Sequence, residues 1–152
     1  MRLRFWKMSG AGNDFILLAG LPRGFSGAAL ARLLCRRRAA VGADGILVLS
    51  RRGGRIRLDY WNADGSAAFC GNGSRCAALW AKAHGWAKSR RFVLDTSRGA
   101  LTVRISGKGR AEVKMPIPHD LRLSQRVKVS GKTHTVHFVD TGVPHAVLFV
   151  PD

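Results

Sequence analysis

The chain alternates short apolar runs with turns rich in glycine, and this pattern predicts a protein built mainly of β-strands. The first two runs are separated by the polar glycine loop Ser9-Gly-Ala-Gly-Asn-Asp14. In chain order, the predicted strands are residues 3–8, 15–19, 46–49, 56–61, 92–94, 101–105, 111–115, 126–129, 133–139 and 146–150. The pattern is typical of a sheet whose strands are joined by tight turns.

Two segments have the spacing of helices instead of strands. Ser26 can cap a helix that runs to about Arg37. Its predicted buried stripe is Leu30, Leu33 and Leu34. A second, central helix is predicted over residues 74–84, directly after Cys70, and Gly85 would end it. Its predicted buried side is Cys76, Leu79, Trp80 and Ala83. Strands around one central helix indicate an α+β fold rather than alternating βαβ units.

Composition limits the classes of function. Of the 152 residues, 46% are hydrophobic, which is enough for a core. Lys and Arg outnumber Asp and Glu by 26 to 9, giving a net charge of +17, and such an excess raises nucleic-acid or membrane-surface binding as a hypothesis. The arginines are scattered over the ends of predicted elements, however. A solvated basic face is therefore the favoured interpretation, and a nucleic-acid partner is not expected.

The cysteines and the apolar segments indicate a cytoplasmic protein. The chain has 3 cysteines, an odd number, and residues 1–8 alternate like a strand, without the apolar core of a secretory signal. No apolar stretch approaches the length that spans a membrane. We therefore expect free thiols in a reducing compartment, and no membrane partner.

The strongest candidate for chemistry is Cys70, which lies at a glycine-rich turn before the central helix. The first amides of a helix attract anions, and the positive end of the helix favours the thiolate form of a cysteine placed there. A thiolate beside a carboxylate-binding turn suits removal of a proton from the carbon next to that carboxylate. The alternative is that Cys70 is a small buried residue, as Cys35 and Cys76 are predicted to be.

The other polar turns each allow a purely structural interpretation. Asn13 follows a glycine loop that lacks the lysine of a P-loop, so it is either a turn residue of a tight hairpin or an amide that points into a site. Asn62 and Asp64 fit an Asx turn, and Asp44 in Gly-Ala-Asp-Gly fits a turn as well. The cysteines and histidines lack the paired spacing of a zinc site, so no metal is expected.

Considered together, these motifs resemble those of diaminopimelate epimerases. The segments that carry the resemblance follow one another in the order of that family, and they are residues 8–15, 42–45, 62–66, 70–76, 96–99 and 141–145. The combination of Asn-Ala-Asp-Gly at 62–65 with Cys-Gly-Asn-Gly at 70–73 favours this family over the proline racemases and the phenazine-biosynthesis isomerases. The resemblance extends over essentially the whole chain.

The resemblance implies an α+β fold of diaminopimelate-epimerase type, a mixed sheet or barrel wrapped around a central helix. It also implies an isomerase that needs no cofactor and interconverts LL- and meso-diaminopimelate, on the route to lysine and peptidoglycan precursors. Two cysteines on opposite faces of this small-molecule substrate would remove and return the α-proton, and Cys70 would be one of them. The amides of Gly71 and Asn72 would bind the substrate carboxylate. The further substrate-binding residues would be Asn13 and Asn62.

The family has a second, pseudo-symmetric half, whose Glu-Arg pair and Cys-Gly-Ser/Thr-Gly turn have no match in this sequence. By resemblance, residues 1–116 are an N-terminal epimerase-like domain and residues 117–152 are the opening strands of a truncated second domain. Position 143 is valine, where many members have asparagine. We therefore expect the chain alone to be inactive, with the second thiol supplied by a missing C-terminal half in cis or in trans. The oligomeric state stays open, a homodimer included.

Two alternatives to this activity remain at the level of sequence. The chain could be a non-catalytic binding or interaction protein on half of the epimerase fold, in which the basic surface dominates. It could also isomerise another amino acid such as proline, although Asn-Ala-Asp-Gly at 62–65 favours diaminopimelate. Replacement of Cys70 distinguishes the first alternative, because a binding protein would not need this thiol.

Overall fold

The computed structural model describes residues 2–151, which divide between Lys114 and Met115 into a first unit and a second unit. The strands of the first unit are β1 Trp6–Gly10, β2 Asn13–Ala19, β3 Gly45–Arg52, β4 Arg55–Asn62, β5 Ala67–Ala68, β6 Arg91–Thr96, β7 Gly99–Gly107 and β8 Arg110–Val113. Its helices are α1 Gly27–Leu34 and α2 Gly71–Ala83. The second unit contains β9 His119–Val129, β10 Lys132–Asp140 and β11 Pro144–Val147.

The first unit is one mixed sheet with a helix on each face. Its strand order is β1-β2-β3-β4-β6-β7-β8, with β5 paired to β4. The pairs β2–β3 and β4–β6 are parallel, and the others are antiparallel. Parallel neighbours need a long crossover, and here α1 connects β2 to β3 while α2 lies between β4 and β6 in the chain. This arrangement confirms the predicted α+β class and the mixed sheet around a central helix.

The apolar residues of β2 and β3 alternate between two cores, one under each helix. The core shared with α2 includes Phe15, Leu17, Leu47, Leu49, Cys76, Ala77 and Trp80. The core shared with α1 includes Ile16, Leu18, Leu30, Ala31, Ile46 and Val48. Because both faces of these strands are buried, their sequences are continuous apolar runs rather than alternating ones. The same packing holds α2 against the sheet.

The predicted start of α1 is confirmed, and its predicted end is wrong. Ser26 caps the helix and accepts the N–H of Ala29 at 3.2 Å. The helix ends at Leu34 instead of running to about Arg37, because the N–H of Gly42 turns back to the Leu34 carbonyl. Leu30 is buried as predicted, whereas Leu33 is 52% exposed and Leu34 is only partly buried.

The central helix α2 begins one turn earlier than predicted, at Gly71, since Cys70 acts as its N-cap. Gly85 follows its end with φ +70, so the predicted stop is confirmed. Ala83 is exposed, against prediction, while the small residues on the opposite side are buried. No helix within residues 2–151 is both long enough and apolar enough to cross a membrane.

Several strand boundaries differ from the prediction. The strand predicted over residues 3–8 begins only at Trp6, as β1, so its predicted start is wrong. β1 continues to a two-residue turn at Ala11 and Gly12, whose φ values of 50° and 88° suit a tight hairpin. β9 already begins at His119, because it pairs with β10 well before Arg126. β11 ends at Val147, where its pairing with β10 ends, so the predicted strand over 146–150 is wrong beyond that residue. β5, of two residues, was not predicted.

The second unit is a three-stranded antiparallel sheet in the order β11-β10-β9. Many of its apolar side chains are exposed, and they include Leu121, Leu123, Val127, Val129, Leu148, Phe149 and Val150. An apolar surface of this extent is typical of a sheet that a further segment or partner covers.

A test of the fold concerns Gly45, the first residue of β3. A Cβ atom there would lie 2.5 Å from the backbone oxygen of Trp61 and 2.5 Å from the ring of Tyr60. We expect Gly45→Ala to lower the free energy of unfolding by about 2 kcal/mol in urea denaturation. Gly107→Ala is the matched control, since a Cβ there comes no closer than 3.8 Å to a neighbour, and its effect should stay within about 0.5 kcal/mol. Equal losses in both variants would contradict this packing.

Candidate functional site

The start of α2 is organised around Cys70. The sulfur of Cys70 accepts the N–H of Gly73 at 3.3 Å, and its carbonyl accepts the N–H of Ser74 at 2.9 Å. Within residues 2–151, the N–H groups of Gly71 and Asn72 have no acceptor, as expected for the first amides of a helix. A partly buried thiol therefore lies beside two free backbone donors at the positive end of a helix.

Two glycines allow α2 to approach the sheet closely. A Cβ at Gly73 would lie 2.7 Å from Cδ2 of Leu47 in β3, and a Cβ at Gly10 would lie 2.8 Å from the sulfur of Cys76. β3 and the β1–β2 hairpin thus pack directly against the N-terminal half of α2. The glycines around Cys70 are needed for this contact as well as for the turn.

Asn13 in β2 and Asn72 in α2 are joined side chain to side chain, although 59 positions separate them in the chain. The Nδ2 group of Asn72 donates to Oδ1 of Asn13 at 2.8 Å, and Nδ2 of Asn13 donates to Oδ2 of Asp44 at 3.0 Å. Arg75 in turn donates to Oδ1 of Asn72. Asn13 therefore follows a tight hairpin, and its side chain also reaches the start of α2.

The carboxylates of Asp14 and Asp44 form an ion-pair cluster at the same edge of the sheet. Arg37 contacts Asp14 at 2.6 Å and Asp44 at 2.8 Å, and Lys7 contacts Asp14 at 2.8 Å. The hydrogen bond from Arg37, followed by that from Lys7, holds the pKa of Asp14 well below its usual range. The hydrogen bond from Asn13 is the main cause that lowers the pKa of Asp44. Both carboxylates are therefore ionised at neutral pH.

Asn62 lies at the end of β4, next to this cluster but not bonded to it through its side chain. Its Oδ1 accepts the hydroxyl of Tyr60 at 2.8 Å, and its Nδ2 donates to Oγ of Ser66 at 3.0 Å. Asp64 accepts the N–H of Ser66 at 2.8 Å, which confirms the predicted Asx turn. The N–H of Ala63 donates to the Asp44 carbonyl at 3.0 Å, and this bond ties the turn to the cluster.

Tyr60 interacts with Asn62 through a hydrogen bond and with the thiol of Cys70 through electrostatics. Burial raises the pKa of Tyr60, and the negative charge of a Cys70 thiolate raises it further. The phenol is therefore a neutral hydrogen-bond donor at neutral pH, and its bond to Asn62 orients that amide with the oxygen toward Tyr60. The structure thus brings Cys70, Gly71, Asn72 and Asn13 together at the start of α2, with Asn62 at the neighbouring strand end.

Four side chains that support this arrangement were not singled out as site residues from the sequence, and they are Arg37, Asp44, Tyr60 and Arg75. Asp44 belongs to a Gly-Ala-Asp-Gly motif that was interpreted as a turn. Arg37 lies in a run of three arginines, which gives no indication that one of them reaches two carboxylates. Their roles depend on contacts between distant segments of the chain.

The other two cysteines lie in the core, as predicted. Cys35 is 3% exposed and Cys76 is 2% exposed. Burial raises the pKa of Cys35 to about 11, and burial also raises the pKa of Cys76. Neither thiol lies at the start of a helix as Cys70 does, because Cys35 is the C-cap of α1 and Cys76 lies within α2.

A groove of about 550 Å³ lies beside α2, but it is not the site of Cys70. Residues lining it include Ser9, Gly10, Arg75, Cys76, Arg110 and Glu112. Cys70, Gly71 and Asn72 do not line this groove. The size of a groove is a weaker guide here than a thiol beside free amide donors, so we place the candidate site at Cys70.

Comparison with known proteins places this chain in a family. The family model described as diaminopimelate epimerase matches residues 5–118. A diaminopimelate epimerase of Xanthomonas axonopodis is 38% identical over 168 residues, covering 98% of this chain and 58% of the relative. One from Caldanaerobacter subterraneus is 34% identical and covers 97% of this chain and 60% of the relative. The chain thus spans about three fifths of the length of these curated relatives.

A solved structure supports the same fold. The crystal structure of a phenazine biosynthesis protein of the PhzF family from Bacillus anthracis superposes with a TM-score of 0.65 at 14% identity. The match covers 95% of this chain and 53% of that chain. At this level of identity the likeness concerns the fold alone.

The geometry predicts a strong difference in reactivity among the three thiols. We expect iodoacetamide at neutral pH to modify Cys70 at least about tenfold faster than Cys35 or Cys76, because those two are buried and their pKa values are raised. Peptide mapping by mass spectrometry after short exposures measures the three rates. Cys70→Ser is the control, and it should leave only slow labelling. Equal rates in the folded chain would contradict the placement of the thiols.

Proposed function

Because the chain belongs to the diaminopimelate epimerase family, we propose that it supplies one half of an active site that interconverts LL- and meso-diaminopimelate. The observation that supports this most is the position of Cys70 as the N-cap of α2, beside the free N–H groups of Gly71 and Asn72. In this proposal, Cys70 is the base and the two N–H groups are the cradle for a carboxylate. Both are needed to remove a proton from the carbon that bears that carboxylate.

In the proposed reaction, the thiolate of Cys70 takes the α-proton and becomes a thiol. The electron pair of the broken C–H bond is delocalised onto the substrate carboxylate. The amides of Gly71 and Asn72 donate to that carboxylate, and their contribution grows as negative charge develops on it. Since these donors are fixed by the start of α2, they need no rearrangement as the charge appears.

Inversion of the carbon needs a second acid on the opposite face. We propose that a second cysteine, outside this chain, delivers a proton there and becomes the thiolate, so that the two thiols have exchanged roles after one turnover. The two curated relatives are longer than this chain, which spans 58% and 60% of their lengths. We propose that the segment corresponding to their remainder supplies the second thiol, in cis or in trans.

The polar groups near Cys70 would recognise the rest of the substrate. We propose that Asn13, Asn62 and Asn72 bind the charged groups of diaminopimelate, because each amide keeps bonding capacity beyond its contacts within the chain. All three cysteines are free thiols, which supports a reducing, cytoplasmic location. The reaction would then serve the route to lysine and peptidoglycan precursors.

The first test joins residues 1–152 to the part of the Xanthomonas axonopodis relative that follows the matched region. We expect this fusion to exchange the α-proton of LL-diaminopimelate for deuterium in D2O, followed by proton NMR. Cys70→Ser should lower kcat by at least about 100-fold, because a serine hydroxyl is a far weaker base than a thiolate. Cys35→Ser is the matched control, as Cys35 lies in the α1 core. Undiminished turnover in the Cys70→Ser fusion would contradict the proposal.

The second test uses the 152-residue chain alone. We expect no epimerisation of LL-diaminopimelate by the purified chain, because one thiol can remove the α-proton but no second acid inverts the carbon. Chiral chromatography of the products measures this directly, with the fusion protein as the positive control. Formation of meso-diaminopimelate by the chain alone would contradict a mechanism that needs a second cysteine from outside it.

A further inference from the structure

A chain of hydrogen bonds runs from a carboxylate to a guanidinium through two amide side chains. Asn13 donates to Asp44 at 3.0 Å, and Asn72 donates to Asn13 at 2.8 Å. At the other end, Arg75 donates to Oδ1 of Asn72. The chain thus connects an anion on the sheet edge to a cation on α2, and it passes the helix start where Cys70 lies.

The two charged ends leave the amides only one orientation. An ionised carboxylate can only accept, so Asn13 must turn its Nδ2 toward Asp44. A guanidinium can only donate, so Asn72 must turn its Oδ1 toward Arg75. The remaining contact then has to be from Nδ2 of Asn72 to Oδ1 of Asn13, as observed. Reversal of either amide would bring two donors or two acceptors face to face.

We propose that Asp44 is a positioning residue that fixes the amides of Asn13 and Asn72 so that they offer N–H donors to a substrate carboxylate. Each Nδ2 group uses one hydrogen within the chain of bonds and keeps a second one. These two donors add to the free backbone amides at the start of α2. The site thereby gains a preference for a negatively charged ligand over a neutral one of the same shape.

Asp44 is itself held from two further directions. Arg37 donates to its Oδ1 at 2.8 Å, and the N–H of Asp14 donates to its Oδ2 at 3.0 Å. Arg37 also bonds both oxygens of Asp14, at 2.6 and 3.2 Å. The carboxylate therefore cannot rotate away from Asn13 without breaking charge-assisted bonds, which are stronger than neutral ones.

The test compares two alkylating reagents at Cys70 in the 152-residue chain. Iodoacetate carries a carboxylate and iodoacetamide is neutral, so the ratio of their rates reports the preference for a negative ligand. Asp44→Asn is compared with Asp59→Asn, whose carboxylate pairs with Arg57 at 2.8 Å. Side-chain exposure is 37% at Asp44 and 31% at Asp59. Both variants raise the net charge of the protein equally, so the long-range attraction between the protein and iodoacetate changes by the same amount in each.

We expect Asp44→Asn to lower the iodoacetate-to-iodoacetamide ratio at Cys70 about fivefold, as for the loss of one hydrogen bond. Asp59→Asn should leave the ratio unchanged or raise it slightly, because it removes a negative charge without touching the chain of hydrogen bonds. Removal of a negative charge alone would raise the ratio, so a fall cannot come from net charge. A ratio in Asp44→Asn equal to or above that in Asp59→Asn overturns the proposal.

A second measurement follows the bonds themselves. Asp44→Asn should shift the side-chain NH2 resonances of Asn72 in a 15N-resolved spectrum, although Asn72 bonds to Asn13 and not to Asp44. Unchanged Asn72 resonances overturn the proposal. If Cys35 and Cys76 become reactive in Asp44→Asn, that variant has lost the fold, and Arg37→Lys is measured in its place. Arg37→Lys keeps the positive charge but lacks the planar guanidinium that bridges Asp14 and Asp44. A lower iodoacetate-to-iodoacetamide ratio in this variant supports the proposal, and an unchanged ratio overturns it.

The proposal rests on the proposed function only for the identity of the ligand. Neither measurement needs turnover, so the two ideas can fail separately. If the fusion is inactive but Asp44→Asn has the expected effect on both measurements, the epimerase function is contradicted and the positioning role of Asp44 stands. If the fusion is active but Asp44→Asn changes neither measurement, the positioning role is contradicted and the epimerase function stands.

Discussion

The close approach of α2 to the sheet is the constraint on which the rest of the structure depends. Gly73 packs against Leu47, and Gly10 packs against Cys76, at distances that leave no space for a Cβ atom. This contact brings the first amides of the helix to the edge where β2, β3 and β4 present their polar residues. The large apolar side chains of the α2 core hold the helix there, and Cys70 gains its neighbours only as a result.

The ion pairs and hydrogen bonds at this edge of the sheet determine which polar groups face the start of α2. Asp14 and Asp44 are kept ionised by their bonds to Arg37, Lys7 and Asn13. Their negative charges are paired with the positive charges of that cluster. What remains toward the start of α2 is a set of N–H donors, from the backbone and from two asparagines. In the proposed site, a protein with net charge +17 would thus bind an anion through oriented amides rather than through free cations.

Local sequence signals predicted the elements that carry the site, whereas long-range contacts were beyond them. Cys70 before a glycine-rich helix start, Ser26 as a cap and Gly85 as a stop are recognisable from a few neighbouring residues. The bond between Asn13 and Asn72 joins positions 59 residues apart, and no local pattern specifies it. Leu33 shows the same limit, since its exposure depends on which side of α1 meets the sheet.

The most direct measurement is a titration of the 15N-labelled chain with diaminopimelate, followed by NMR. If the start of α2 is the carboxylate cradle, the largest shifts should occur at the backbone amides of Gly71 and Asn72 and at the side-chain amide of Asn13. The backbone amides of Arg57 and Asp59 in β4 should stay unchanged. Shifts confined to residues remote from the start of α2, with none at Gly71 and Asn72, would contradict the assignment of the site to Cys70.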